Sequence, residues 1–190
     1  MIRSALVAAL LLASPAVLAA GPAVGDAAPA VNTKDVKGRD VVVPDSGKPM
    51  VLAFVAKATG DKGGAINRDV RINHPEATVI TFVDVSSFPG FLHGMVKSKM
   101  SSRHEEALKD DSEALKKAGK PVPEDLDKRI HIVPDFDGKI VQKSYGATDT
   151  DKQAHFFVIG ADGKIAAIFD KTPTSADVNG ALDKLTAAAK

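Results

Sequence analysis

The sequence contains no cysteine and no tryptophan, only one tyrosine, and aromatic residues make up 5% of its 190 positions. Without a thiol the chain cannot form a disulfide, run thiol redox or thiol peroxidase chemistry, hold an iron–sulfur cluster or ligate zinc through sulfur. With so few rings, stacking platforms for bases or sugars are scarce. Charge of one sign is missing too. Lys and Arg number 25 against 24 Asp and Glu, so no basic excess supports nucleic-acid binding and no acidic excess supports a disordered tail. The five histidines, His74, His93, His104, His131 and His155, are scattered. None has the paired helical spacing of a metal site, and His104-Glu105-Glu106-Ala107-Leu108 lacks the second histidine of a zinc-protease motif. A copper-chaperone reading fails for want of soft thiolate ligands. No metal and no cofactor are expected.

What is present suits one globular domain: 44% of residues are hydrophobic and 26% charged. Residues 1–19 read as a signal peptide. Arg3 gives a positive start, Ala5 to Leu12 is an apolar core too short to span a bilayer, and Val17-Leu18-Ala19 offers small residues for cleavage. No Cys follows, so a lipoprotein anchor is excluded and no membrane anchor is expected after cleavage. The expected destination is periplasmic or secreted, in a bacterium, with residues 20–190 forming a single domain.

The stretch from Gly47 to Asn73 organises the rest. Met50-Val51-Leu52-Ala53-Phe54-Val55-Ala56 is an unbroken apolar run, which predicts a strand buried on both faces rather than one. Lys57 to Gly64 is polar and glycine-rich and reads as a turn. Ala65, Ile66, Val70 and Ile72 then supply one face of a short helix that Pro75 ends. Val79 to Val85 predicts a second buried strand, joined to the first by a right-handed crossover. Upstream, Lys37-Gly38-Arg39-Asp40 and Pro44 to Gly47 bracket Val41-Val42-Val43 as a small hairpin. Downstream, Ser86 to Gly90 is a loop, and Phe91 to Gly119 is helical, with Leu92, Val96, Met100, Ala107, Leu108 and Leu115 near one face. The charged run from Arg103 to Lys117 reads as a solvated helix face, a partner-binding surface being the alternative. Ile130 to Val133 is a short strand, and Ile140 to Tyr145 is a brief helix or strand. Phe156 to Ile159 and Ile165 to Phe169 make a hairpin around Gly160-Ala161-Asp162-Gly163. A last helix follows, capped by Thr174 with Asp177 returning the bond.

This order of elements resembles the thioredoxin-like fold, specifically its redoxin branch of peroxiredoxins and thiol–disulfide reductases. Val24-Gly25-Asp26-x-x-Pro29 is similar to the branch's amino-terminal signature, and Gly47-Lys48-Pro49 before Val51-Leu52-x-Phe54 to its approach to the central strand. Asp135-x-x-Gly138 with Tyr145-Gly146 resembles the segment before the terminal hairpin, and Phe157 to Ile165 the hairpin itself. The resemblance covers essentially the whole chain after the signal. It implies an α/β, three-layer fold with a central mixed sheet, an amino-terminal hairpin extension and a helical insertion. It withholds the activity. Where the reductases carry two cysteines this chain has Thr59-Gly60-Asp61-Lys62, the peroxidase nucleophile falls near Lys62 or Gly63, and the proline that faces the site is replaced at Ala154 or His155. A closer likeness, to small periplasmic YtfJ-type proteins, rests on Ala56-x-x-Thr59-x-x-Lys62, on Pro89-Gly90 and on Lys97-Ser98-x-x-Ser101-Ser102-Arg103. It implies no established reaction.

The candidate site residues are therefore Lys57, Thr59, Lys62, Gly63 and Gly64, as a binding loop at the place of the missing thiols, with no catalytic residue assigned. Lysines plus glycine backbone N–H groups can cradle an anion, although the spacing is not that of a Walker loop. The expected partner is a protein or a small anionic ligand. The alternative is cysteine-independent chemistry with Thr59 as nucleophile and a histidine, such as His155, as its base.

Overall fold

The apolar run from Met50 is buried on both faces, because helices cover one side of its sheet and a hairpin the other. The computed structural model describes residues 21–45 and 47–188; the predicted signal peptide lies outside them. Among the described residues the chain runs β1 (Val31–Lys34), β2 (Asp40–Val43), β3 (Met50–Val55), α1 (Gly60–Asn73), β4 (Thr78–Asp84), α2 (His93–Lys117), β5 (Ile130–Asp135), a π-helical turn (Lys139–Ser144), β6 (His155–Ile159), β7 (Ile165–Phe169) and α3 (Ser175–Ala188). The main sheet has the order β5-β4-β3-β6-β7, with β3, β4 and β5 parallel and β6 and β7 antiparallel. It is thus mixed, as expected. β1 and β2 form the separate hairpin.

Alternation along β3 divides the core. Val51, Ala53 and Val55 meet Ile66 and Val70 of α1 and Val178 and Leu182 of α3. Leu52 and Phe54 point the other way, toward Val31, Val41 and Val43 of the hairpin and Val141 and Tyr145 at the π-helical turn. Phe54 is the aromatic centre of that side, stacked on Phe82 and edge-on to Phe157. The segment expected to be a brief helix or strand at Ile140–Tyr145 is a short helix of the wide, π type, over Lys139–Ser144. Lys143 N–H is bonded to Gly138 O and Tyr145 N–H to Ile140 O. The buried Asp135 carboxylate collects the N–H groups of Ile140 and Val141, at 3.0 and 2.7 Å, which pins the wide turn at its start.

The β5 edge of the sheet is closed by the hairpin, whose turn wraps round it: Val36 N–H donates to Ile132 O at 2.9 Å. An open strand edge invites pairing with other chains, so the covering has a purpose. Arg39 secures it. Its guanidinium donates Nε–H to Asp35 Oδ2 at 2.7 Å, and its Nη atoms donate to Asp127 O at 2.6 Å and Ile130 O at 2.7 Å. His131 Nδ1 lies 3.0 Å from the same Asp35 oxygen. Nη2 also lies 3.0 Å from Nε2 of His104, a fully buried side chain of α2. The same Nε2 lies 3.1 Å from Ile130 O and 3.3 Å from Asp127 Oδ1, so the imidazole sits at the centre of the cluster.

Burial and the neighbouring Arg39 hold His104 below its ordinary pKa of 6.5, against the pull of Asp127. Burial pushes Asp35 up, but hydrogen bonds from Arg39 and His131 outweigh it and leave the carboxyl below 3.8. In both cases the unfolded chain takes up a proton at a higher pH than the folded one. Stability from these groups is therefore full at neutral pH and is lost as pH falls, first from about 6.5 downward through the His104 window, then below about 3.8 as Asp35 titrates. Urea midpoints measured from about pH 7.5 to about pH 5.5 should fall in the wild type, and should fall less in His104→Gln.

Candidate functional site

In parallel sheets ligands gather beyond the carboxyl ends of the strands. Here that end is formed by the turn from Ala56 to Thr59, the loop leaving β4 from Val85 to Pro89, and the segment from Thr150 to Ala154 leading into β6. The turn after β3 is shorter than the glycines suggested. Helix α1 begins at Gly60, so Gly63 and Gly64 lie in its first turns and not in a loop. The reason for one glycine is contact. A Cβ on Gly63 would sit 2.7 Å from Val55 Cγ1 and 3.9 Å from the Ala154 Cβ, whereas one on Gly64 would meet nothing.

Thr59 is buried, and its hydroxyl is spent on the scaffold. Oγ1 accepts from Ala56 N–H at 3.0 Å and donates to Thr150 O at 2.7 Å. It therefore does not cap α1, and the helix has no side-chain cap. Since Gly63 N–H is the first to reach back, to Thr59 O, the N–H groups of Gly60, Asp61 and Lys62 have no acceptor among the described residues. Lys57 and Lys62 are exposed beside them, and neither has an ion-pair partner among the described residues. Asp61 is the local counter-charge, 3.7 Å from Arg103 of α2.

The floor beneath is polar. Asp84, the last residue of β4, accepts from Ser86 Oγ at 2.7 Å, Ser86 N–H at 3.0 Å and Gln142 Nε2 at 2.8 Å, with the Thr150 hydroxyl at 3.4 Å. Burial raises Asp84, but these bonds outweigh it and keep the carboxyl below 3.8. No sequence pattern pointed to Asp84, Gln142 or Thr150, because the bonds that join Gln142 and Thr150 to Asp84 span 58 and 66 residues of chain.

The structure does not bring a histidine to Thr59. His155 is buried opposite Phe54 in the β3–β6 register, and its Nε2 is 2.6 Å from Asp149 Oδ1. Asp149 is fixed in turn by Gln153 Nε2 at 2.6 Å. A nucleophilic hydroxyl needs a base within hydrogen-bond reach, and the only acceptor that Thr59 donates to at short range is a peptide carbonyl. The residue facing α1 where the proline was sought is Ala154, fully buried, and its N–H donates to Thr172 Oγ1 at 2.8 Å. A proline could not make that bond. Among the described residues no group of three His, Asp or Glu is placed to hold a metal ion, and no helix is long and apolar enough to cross a membrane.

Solved structures match over most of the chain. The exposed lipoprotein thioredoxin of Streptococcus pneumoniae superposes with a TM-score of 0.54 at 16% identity, covering 82% of this chain and 99% of that one. A peroxiredoxin-like protein from Aquifex aeolicus gives 0.51 at 15% identity, covering 88% and 90%. The thioredoxin domain of a thiol-disulfide oxidoreductase from Bacteroides vulgatus gives 0.50 at 20% identity, covering 86% and 98%. The fold is thioredoxin-like. No family model matches the sequence, and no curated protein does.

The division between scaffold and surface is measurable by urea unfolding. Thr59→Val should destabilise by about 1–3 kcal/mol, since it leaves the Ala56 N–H and the Thr150 carbonyl without their partner. Gly64→Ala should stabilise by roughly 0.5–1 kcal/mol, the helix-propensity gain of an unobstructed site. Gly63→Ala should forfeit that gain, because overpacking against Val55 costs about 1–3 kcal/mol.

Proposed function

We propose that this chain is an exported thioredoxin-like protein without thiol redox activity, acting as a binding or accessory protein through the β3–α1 junction. The observation that carries the reading is the junction's electrostatics. The start of α1 presents three unbonded N–H groups, at the positive end of the helix dipole, between the exposed ammonium groups of Lys57 and Lys62. Thr59 and Gly63 hold this surface in place from below, and Gly64 leaves it open. Such a surface suits a carboxylate- or phosphate-bearing partner, whether a protein or a small anion. Export rests on the signal-like character of residues 1–19, and the reading without thiol chemistry rests on the missing cysteines.

The test compares the mature protein with a Lys57→Glu, Lys62→Glu variant. Both side chains are exposed, so the unfolding midpoint should not change by more than about 0.5 kcal/mol of stability. Native mass spectra and pull-downs from a periplasmic extract should show a partner or small anion retained by wild type and lost by the variant. Identical spectra from the two proteins would remove the junction from consideration.

A further inference from the structure

Helices α1 and α2 run side by side in the same direction, as their ion pairs show. Asp61 meets Arg103, Arg68 meets Asp110, and Arg71 meets Asp111, in the same order along both. The start of α1 therefore lies level with Ser102 and Arg103 of α2. The residues of α2 before that level, His93 to Ser102, stand about 15 Å past the start of α1 at the usual rise per residue. Within this overhang His93 stacks on Phe136 at 3.9 Å with its Nε2 3.2 Å from Phe88 O, Lys97 lies over the Phe136 ring, and Met100 is buried.

Its outer side carries two features that folding does not call for. Phe91, in the 3-10 turn Gly90–Leu92 that leads into α2, is 85% exposed, Met95 four residues later is 62% exposed, and they are two of the four large hydrophobic side chains exposed among the described residues. The charge is also one-sided. Lys97, Lys99 and Arg103 lie in the second and third turns of α2, its first turn has no acidic residue, and none occurs from Val85 to His104. Met95, Ser98, Lys99, Ser102, Arg103 and Glu106 line a shallow groove of about 510 Å³ along this side.

We infer that the overhang of α2 is a docking site for an acidic amphipathic segment of a partner protein. Apolar residues of the segment cover Phe91 and Met95, and its carboxylates meet Lys99, Arg103 and the positive helix end. The inference deepens the reading of the β3–α1 junction, since it makes the partner a protein and gives it a second, apolar contact beside the same end of the sheet. A bilayer fits less well. Two apolar side chains form too small a face to hold an interfacial helix.

The probe is a fluorescent amphipathic peptide of about fourteen residues, with leucines one turn apart and glutamates on the flanks, set against a twin with lysine for glutamate and against vesicles of phosphatidylcholine and phosphatidylglycerol. The acidic peptide should bind saturably and weaken with salt, while the twin and the vesicles do not bind. Phe91→Ser with Met95→Ser should weaken it roughly tenfold or more. The unfolding midpoint should stay in place, since both side chains are exposed. Binding that survives this double variant but is lost in Lys57→Glu, Lys62→Glu would keep the junction and overturn the α2 site. Equal binding of the twin, preference for the vesicles, or no saturable binding of the acidic peptide would overturn it as well.

Discussion

The Arg39 guanidinium ties together parts of the molecule that otherwise have no reason to meet. A sheet separates what lies on its two faces, and here three helices occupy one face while the hairpin occupies the other. The layers meet only round an edge, and Arg39 is the group that bridges the β5 edge. It binds Asp35 within the hairpin, the carbonyls of Asp127 and Ile130 at the start of the strand, and His104 on α2. The guanidinium is half-buried, while its partner Asp35 is fully buried, and a buried charge is costly unless partnered; Arg39 is itself partnered on every nitrogen. The buried pair of Arg71 and Asp111 does the same between α1 and α2. These two arginines together fix where α2 lies along the sheet, and hence how far its first turns reach past α1.

Much of the fold was legible because its signals are local. The double burial of β3 showed in an unbroken apolar run, the β6–β7 hairpin in two such runs around Gly160–Gly163, and the start of α3 in the Thr174–Asp177 pair. That pair makes the expected reciprocal bonds, Thr174 N–H to Asp177 at 2.8 Å and Asp177 N–H to the Thr174 hydroxyl at 3.3 Å. The misreadings come from contacts that no window of sequence contains. Gly63 and Gly64 looked like turn residues, yet one of them is small because Val55 leaves no room on the neighbouring strand. The charged run on α2 is the solvated face expected of it, except at His104 and Asp111, which are buried and each held by an arginine from another element. Polar side chains at helical spacing carry no mark of whether a partner waits for them.

The candidate site was legible in part for the same reason. Lys57 and Lys62 are exposed, as polar residues in a polar stretch should be. Thr59, beside them, is 4% exposed and bonded to a carbonyl that arrives from Thr150, far along the chain. In a thiol enzyme the positive end of a helix favours the thiolate and so creates the nucleophile. A threonine hydroxyl gains little from that field, because its ionisation lies far outside the physiological range. This chain keeps the helix end and its field but assigns the hydroxyl to hold two loops together. The field is then available to something other than a reactive sulfur.

Where that field is left unbalanced can be followed along α2. Its acidic middle is answered by α1: Arg68 takes Asp110 and Arg71 takes Asp111. Its basic first turns receive no comparable answer. Arg103 has Glu106 from its own helix and Asp61 at 3.7 Å, Lys97 has only an aromatic ring, and Lys99 has no ion-pair partner among the described residues. Lys57 and Lys62 add to the same side of the molecule. A protein tuned only for stability would place an acid at the start of α2, as Asp61 stands at the start of α1, and cover Phe91 and Met95. Here positive charge and apolar surface coincide at one end of the sheet, on helices joined by the buried Arg71–Asp111 pair. Rigid placement lowers the entropy that association at such a surface would cost.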